Sequence, residues 1–223
     1  MPLWGLIHEN RYADNTGLAF GCLFSKSHLS NDQQVDGLLL FVSPLHAEIY
    51  RLRLEALGHT GWQLFCTEDS DIANIIRGLR DERLQLWVVV GFSASETQQL
   101  LLDENHLLMT SSVGLDILLR RDEEGQGAAL RLPSDVVDIL QALIARGGRS
   151  LNPVGGNKPK EWPTSDDEEW DQYAVEALDR IATLEYIDYQ KVSGIARPNL
   201  ALALFDQGMR EWRFIDSATG QRH

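Results

Sequence analysis

Two runs of the chain are apolar without alternation, VDGLLLFVS at residues 35–43 and LQLWVVVGF at residues 84–92. A strand with one solvent face alternates apolar and polar residues, whereas an unbroken run needs cover on both faces. Both runs are therefore predicted to be central strands of a covered sheet. Shorter apolar stretches at residues 3–7, 17–25 and 62–67 predict further strands, the first two joined by a polar turn containing Asp14, Asn15 and Gly17.

Between these runs the period changes to that of a helix. Ser43 and Pro44 supply an N-cap and a first helical residue, Leu45, Ile49, Leu52 and Ala56 recur on one stripe, and Gly58 ends it. Ile72, Ile75, Ile76 and Leu79 predict a second helix, and Ser93 is read as opening a third that runs to about residue 104. Strands alternating with helices in this way imply right-handed crossovers and at least three parallel strands. Residues 106–132 return to short apolar stretches around the loop DEEGQG, which predicts strand pairing. Ser134 then caps a helix bearing Val136, Val137, Leu140, Leu143 and Ile144, closed by Gly147 and Gly148.

Residues 147–163 hold four glycines and three prolines and show no period, as in a linker or long loop. Beyond them Ser165 and Glu168 have capping-box spacing, ahead of a helix with Trp170, Tyr173, Ala174, Ala177, Ile181 and Leu184 on one face. Residues 200–205 and 211–215 flank Asp206, Gln207 and Gly208 as a terminal hairpin. The expected fold is α/β: a three-layer-like mixed sheet, parallel at its centre and antiparallel at its edges, with helices on its faces and a C-terminal helix and β-hairpin. The expected division is an α/β domain at 1–146, a linker or long loop at 147–163, and an acidic helix plus hairpin at 164–223.

Charge narrows the partners. Twenty Lys and Arg face 33 Asp and Glu, a formal charge of −13, which repels phosphate backbones and anionic lipid and draws basic proteins. No nucleic acid and no membrane are expected as partners, a basic protein is, and self-association is left open. The opening MPLWGLIHENRY lacks a basic region followed by a sustained apolar stretch, so no secretory signal is read there and a cytoplasmic location is expected. Cys22 and Cys66 both fall in apolar runs and read as small buried thiols.

Motif chemistry is sparse. Gly91-Phe92-Ser93-Ala94-Ser95 stands where an α/β-hydrolase carries its G-x-S-x-G nucleophile elbow, but Ser95 replaces the glycine that lets the helix pack close. Ser93 to Glu96 also has capping-box spacing, and the helix cap is the preferred reading. His46-Ala47-Glu48 has the H-x-E of zinc deaminases without a downstream P-C-x-x-C, so His46 is assigned to the polar face of its helix. The six histidines show no i, i+4 pair for a metal, and Gly155, Gly156 and Lys158 do not complete a phosphate loop. No cofactor, metal or catalytic residue is expected.

The clearest anomaly is charge segregation. Arg146, Arg149, Lys158 and Lys160 have no acid between them, whereas Glu161 to Asp188 holds ten acids and only Arg180 as a base. Glu168, Glu169, Asp171, Glu176 and Asp179 are expected to project away from the apolar stripe as a band that, with Trp162, binds a partner. The sequence thus points to a non-catalytic cytoplasmic interaction protein for a basic partner, as an immunity-type inhibitor of a toxin would be. The alternative is a hydrolase-like α/β enzyme with its site at the C-terminal strand ends near Ser43, Thr67 and Ser93.

Overall fold

A computed structural model describes residues 3–10, 19–22, 24–28, 34–67, 83–103, 105–118, 134–146, 167–181, 184–186 and 200–216. The expected linker at 147–163 and the expected helix over residues 72–79 lie outside the described residues. At the centre, β4 (Gln34–Phe41) runs parallel to β6 (Arg83–Ala94), with Leu38 opposite Leu86 and Phe41 opposite Val89. These are the two unbroken apolar runs, and both of their faces are covered. Leu39, Phe41 and Val89 enter one core cluster, and Leu38, Leu40, Leu86, Val88 and Val90 enter another on the opposite face.

Antiparallel strands surround this pair. β1 (Trp4–Asn10) pairs with β2 (Ala19–Cys22), so the opening hairpin forms, with Ile7 opposite Cys22. β3 (Phe24–His28) continues from β2 and pairs with β4. β5 (Trp62–Cys66) lies against β1, with Trp4 opposite Cys66, whose side chain is buried. Strands β4, β5 and β6 share one direction, but antiparallel β1 sits between β4 and β5. Three strands thus share a direction as expected, and of these only β4 and β6 are hydrogen-bonded neighbours.

On the far side of β6 lie β7 (Leu100–Leu102) and β8 (Thr110–Leu118), both antiparallel to it. β9 (Leu184–Tyr186) pairs parallel with β7. The terminal hairpin forms as expected from β10 (Ala201–Asp206) and β11 (Glu211–Asp216), and β10 joins the sheet against residues 92–94 of β6. A bulge between Val89 and Gly91 shifts the alternation of β6, so that Phe92 and Ala94 reach the same core as Val89. Gly91 is required at that point. A Cβ there would meet Leu204 Cδ2 at 2.5 Å and the Ala203 carbonyl oxygen at 2.7 Å, because β10 passes close over the bulge.

Helix α1 (Pro44–Ala56) starts at Ser43, with proline in its first turn. It ends in a Schellman arrangement. Gly58 at φ +90° donates to the Glu55 carbonyl at 2.9 Å and His59 to that of Leu54 at 3.0 Å. Helix α2 (Ser134–Arg146) places Val136 and Leu140 in the core on one face of the sheet, while α1 lies on the other. Helix α3 (Asp167–Asp179) packs over α1 through Ala174 and Ala177, both fully buried, with Trp170, Tyr173 and Ile181 against the same core. The fold is therefore α/β, with a mixed sheet and helices on both faces. No helix among the described residues is long and apolar enough to cross a membrane.

The helix expected to begin at Ser93 does not exist. β6 continues to Ala94, the chain turns over Ser95 to Gln99, and Leu100, Leu101 and Leu102, all buried, form β7. The turn's cap is Ser95, whose Oγ accepts from the Gln99 N–H at 3.2 Å while its carbonyl accepts from Gln98 N–H at 3.0 Å. Three consecutive buried leucines suit a strand covered on both faces, whereas a helix would turn one of them out.

Candidate functional site

The sequence-marked hydroxyls are occupied in local structure. Ser93 is buried within β6, its backbone N–H donates to the Met109 carbonyl at 2.8 Å, and its Oγ lies 3.0 Å from that of Ser111 on β8. A nucleophile elbow needs a strand-to-helix turn, and no such turn is present at Ser93. Thr67 Oγ1 accepts from the Leu3 N–H at 3.2 Å, while Ser43 is buried ahead of α1 without a side-chain capping bond. Among the described residues no hydrogen bond joins these three hydroxyls.

His46 is not on a polar face. It is 1% exposed, and its Nε2 accepts from the backbone N–H of Phe205 at 3.2 Å. A backbone amide only donates, so the imidazole is neutral, and burial holds its pKa down at about 4. The ring fills the place where β4 leaves the sheet for α1 and β10 enters, with Phe92 edge-on at 5.6 Å. His46 therefore satisfies a strand amide, and Glu48, two residues on, faces a different neighbour. The H-x-E spacing does not bring the two to one site.

Glu48 lies in the layer between α1 and α3. It is 5% exposed and receives Arg51 Nε at 2.8 Å on each carboxylate oxygen. The same guanidinium donates through Nη1 to Glu55 at 2.6 Å and through Nη2 to both Glu48 and Asp171, the latter at 2.6 Å. Three carboxylates thus share one cation. Burial first, and then the neighbouring Asp171, push the Glu48 carboxyl up to about 7 against the opposing pull of Arg51. The hydrogen bond with Glu48 and the charge of Arg51 hold Asp171 below its usual range. Glu48, Arg51 and Glu55 are spaced i, i+3 and i+7 on one helix, a charged line beside the buried face of α1. That spacing is the signal in the sequence that could have found them.

The acidic band of α3 is divided. Asp171 turns toward α1, and Glu176 is held between Arg180 at 2.7 Å and Arg210 at 3.7 Å. Asp179 is exposed, as are Gln172 and Val175, the last at 49%. Glu168 and Glu169 belong to the first turn of α3, but their side chains lie outside the described residues, as does Trp162 entirely.

An open cleft of about 450 Å³ lies beside the end of α3, between the β6–β7 turn and β11. Leu100, Ile181, Trp212 and Phe214 give it apolar walls, and Thr97, Gln98 and Arg180 give it polar ones. Trp212 donates to the Ala177 carbonyl at 2.9 Å and meets Phe205 edge-on at 5.5 Å, so this wall is rigidly backed. Gln98 at φ 62° and Arg210 at φ 54° hold the two adjacent turns in the left-handed region. Among the described residues, no cluster of His, Cys, Asp and Glu is arranged to hold a metal ion. No protein-family model, curated protein or solved structure matches the chain.

Proposed function

We propose that this chain is a non-catalytic interaction protein of the cytoplasm that binds a basic protein partner through the solvent side of α3, as an immunity-type inhibitor of a toxin does. The observation that carries this reading is the position of α3 in the outer layer of an acidic molecule. Ala174 and Ala177 are fully buried against α1, while Gln172, Val175 and Asp179 on the same helix face solvent. A net charge of −13 then draws a basic partner toward the molecule, and an exposed aliphatic such as Val175 among polar residues adds short-range contact. Asp171 and Glu176 are excluded from this surface because their charges are engaged with arginines of the chain itself.

The test is affinity capture from the source cell at low and high salt, with Asp179→Lys as the control bait. A basic protein retained at low salt by the wild type and lost both by the variant and at high salt supports the reading. A partner that is acidic, or one retained equally by Asp179→Lys, contradicts it.

A further inference from the structure

We propose that Glu48, Arg51 and Asp171 form a proton-operated latch, which holds the N-terminal half of α3 on α1 while Glu48 carries a proton and loosens it when Glu48 ionises. The geometry is that of a shared cation. Arg51 Nη2 donates to both Glu48 and Asp171, and two hydrogen bonds of this length to one nitrogen leave their oxygens within about 5 Å of each other. With Glu55 on Nη1, three carboxyl groups therefore crowd one guanidinium, a crowding that is relieved when one of them carries a proton. The buried partner, Glu48, is the one that holds it, because desolvation disfavours its charge while half-exposed Asp171 keeps its own.

With that proton in place, the Glu48 hydroxyl donates to Asp171, and Arg51 offsets the Asp171 charge from the other side. When the proton leaves, the donor between the helices is lost and two carboxylates face one another across a single guanidinium that also serves Glu55. Asp171 can relieve this by turning to solvent, and Glu48, inside the helix layer, cannot. Among the described residues, the charged groups acting on Glu48 are Arg51 on its own helix and Asp171 on α3. The carboxyl held near 7 places the change around neutrality.

The rest of α3 is fastened differently. Trp212 donates to the Ala177 carbonyl, and Glu176 pairs with Arg180 and Arg210. None of these ties involves Glu48, so the release is confined to the part of α3 that Asp171 anchors.

Amide hydrogen exchange on the full chain tests this. Corrected for intrinsic rates, protection of the amides of residues 171–175 is expected to fall about tenfold or more between about pH 5.5 and pH 8, with residues 176–180 unchanged. Glu48→Gln keeps an N–H donor toward Asp171 without an ionisable group, and its protection over residues 171–175 is expected to stay constant across that range. Titration of the carboxyl carbon of Glu48 in the wild type is an independent readout, expected to show a midpoint near 7. A wild-type protection that does not change with pH, an equal slope in Glu48→Gln, or a Glu48 midpoint at the ordinary 4.5 each overturns the latch.

Discussion

The backbone N–H of Phe205 ends on Nε2 of His46, 3.2 Å away, so a strand that enters the sheet late is completed by a helix side chain 159 positions earlier. Replacing His46 by Ala removes that acceptor and opens a cavity beside Phe92. A loss of about 3 kcal/mol is expected from urea unfolding at neutral pH. A loss under about 1 kcal/mol would show that another group takes the amide.

His46 and Glu48 bias stability in opposite directions along pH. The His46 pKa falls from 6.5 to about 4 on folding, so its contribution is full above 6.5 and is lost as pH drops toward 4. The Glu48 pKa rises from 4.5 to about 7, so its contribution is full below 4.5 and is lost as pH climbs toward 7. Between 4.5 and 6.5 the two slopes, each about 1.4 kcal/mol per pH unit, nearly cancel. Glu48→Gln removes one of them. Its unfolding free energy is expected to rise with pH across this window more steeply than that of the wild type, and parallel curves would contradict the assignment.

Gly91→Ala forces a methyl group against the Ala203 carbonyl and two leucines of β10. The expected cost is about 1–3 kcal/mol, with the damage centred where β10 meets β6. Thermal unfolding together with exchange of the β10 amides reads this, and an unchanged midpoint would mean that the strands separate at little cost.

The hydroxyls of buried Ser93 and half-buried Ser111 lie 3.0 Å apart as a hydrogen-bonded pair. Ser93→Ala is expected to cost about 1 kcal/mol, and Ser111→Ala the same, whereas the double variant costs less than their sum, because neither hydroxyl is then left unmatched. Strict additivity in the double-mutant cycle would show the two to be uncoupled.

Much of this fold can be read directly from the chain. Residues 35–43 and 84–92 announce themselves because burial on both faces removes alternation, and α1, α2 and the terminal hairpin carry their caps, periods and turn residues locally. The Ser93 helix fails because S-x-x-E spacing also fits a strand end followed by a turn, and only pairing with β8 and β10 decides between them. The insertion of β1 between β4 and β5 is likewise a long-range choice without a local signature. His46 is misjudged by periodicity because its cover is β10 and Phe92, brought there by long-range pairing, while α3 covers α1 from the other side and buries Glu48. Asp171 and Glu176 look free in the sequence because their arginine partners include Arg51 and Arg210, distant in the chain.

The binding role of α3 is tested most directly by the association rate of the captured basic partner, measured from about 20 mM to about 500 mM salt. The variant combines Glu168→Lys, Glu169→Lys and Asp179→Lys, leaving Asp171 and Glu176 in their internal ion pairs so that the packing of α3 on α1 survives. The wild-type rate is expected to fall steeply with salt, and the triple variant to associate about tenfold or more slowly at low salt, with the two rates converging at high salt. Equal rates for wild type and variant at low salt would contradict the proposed function.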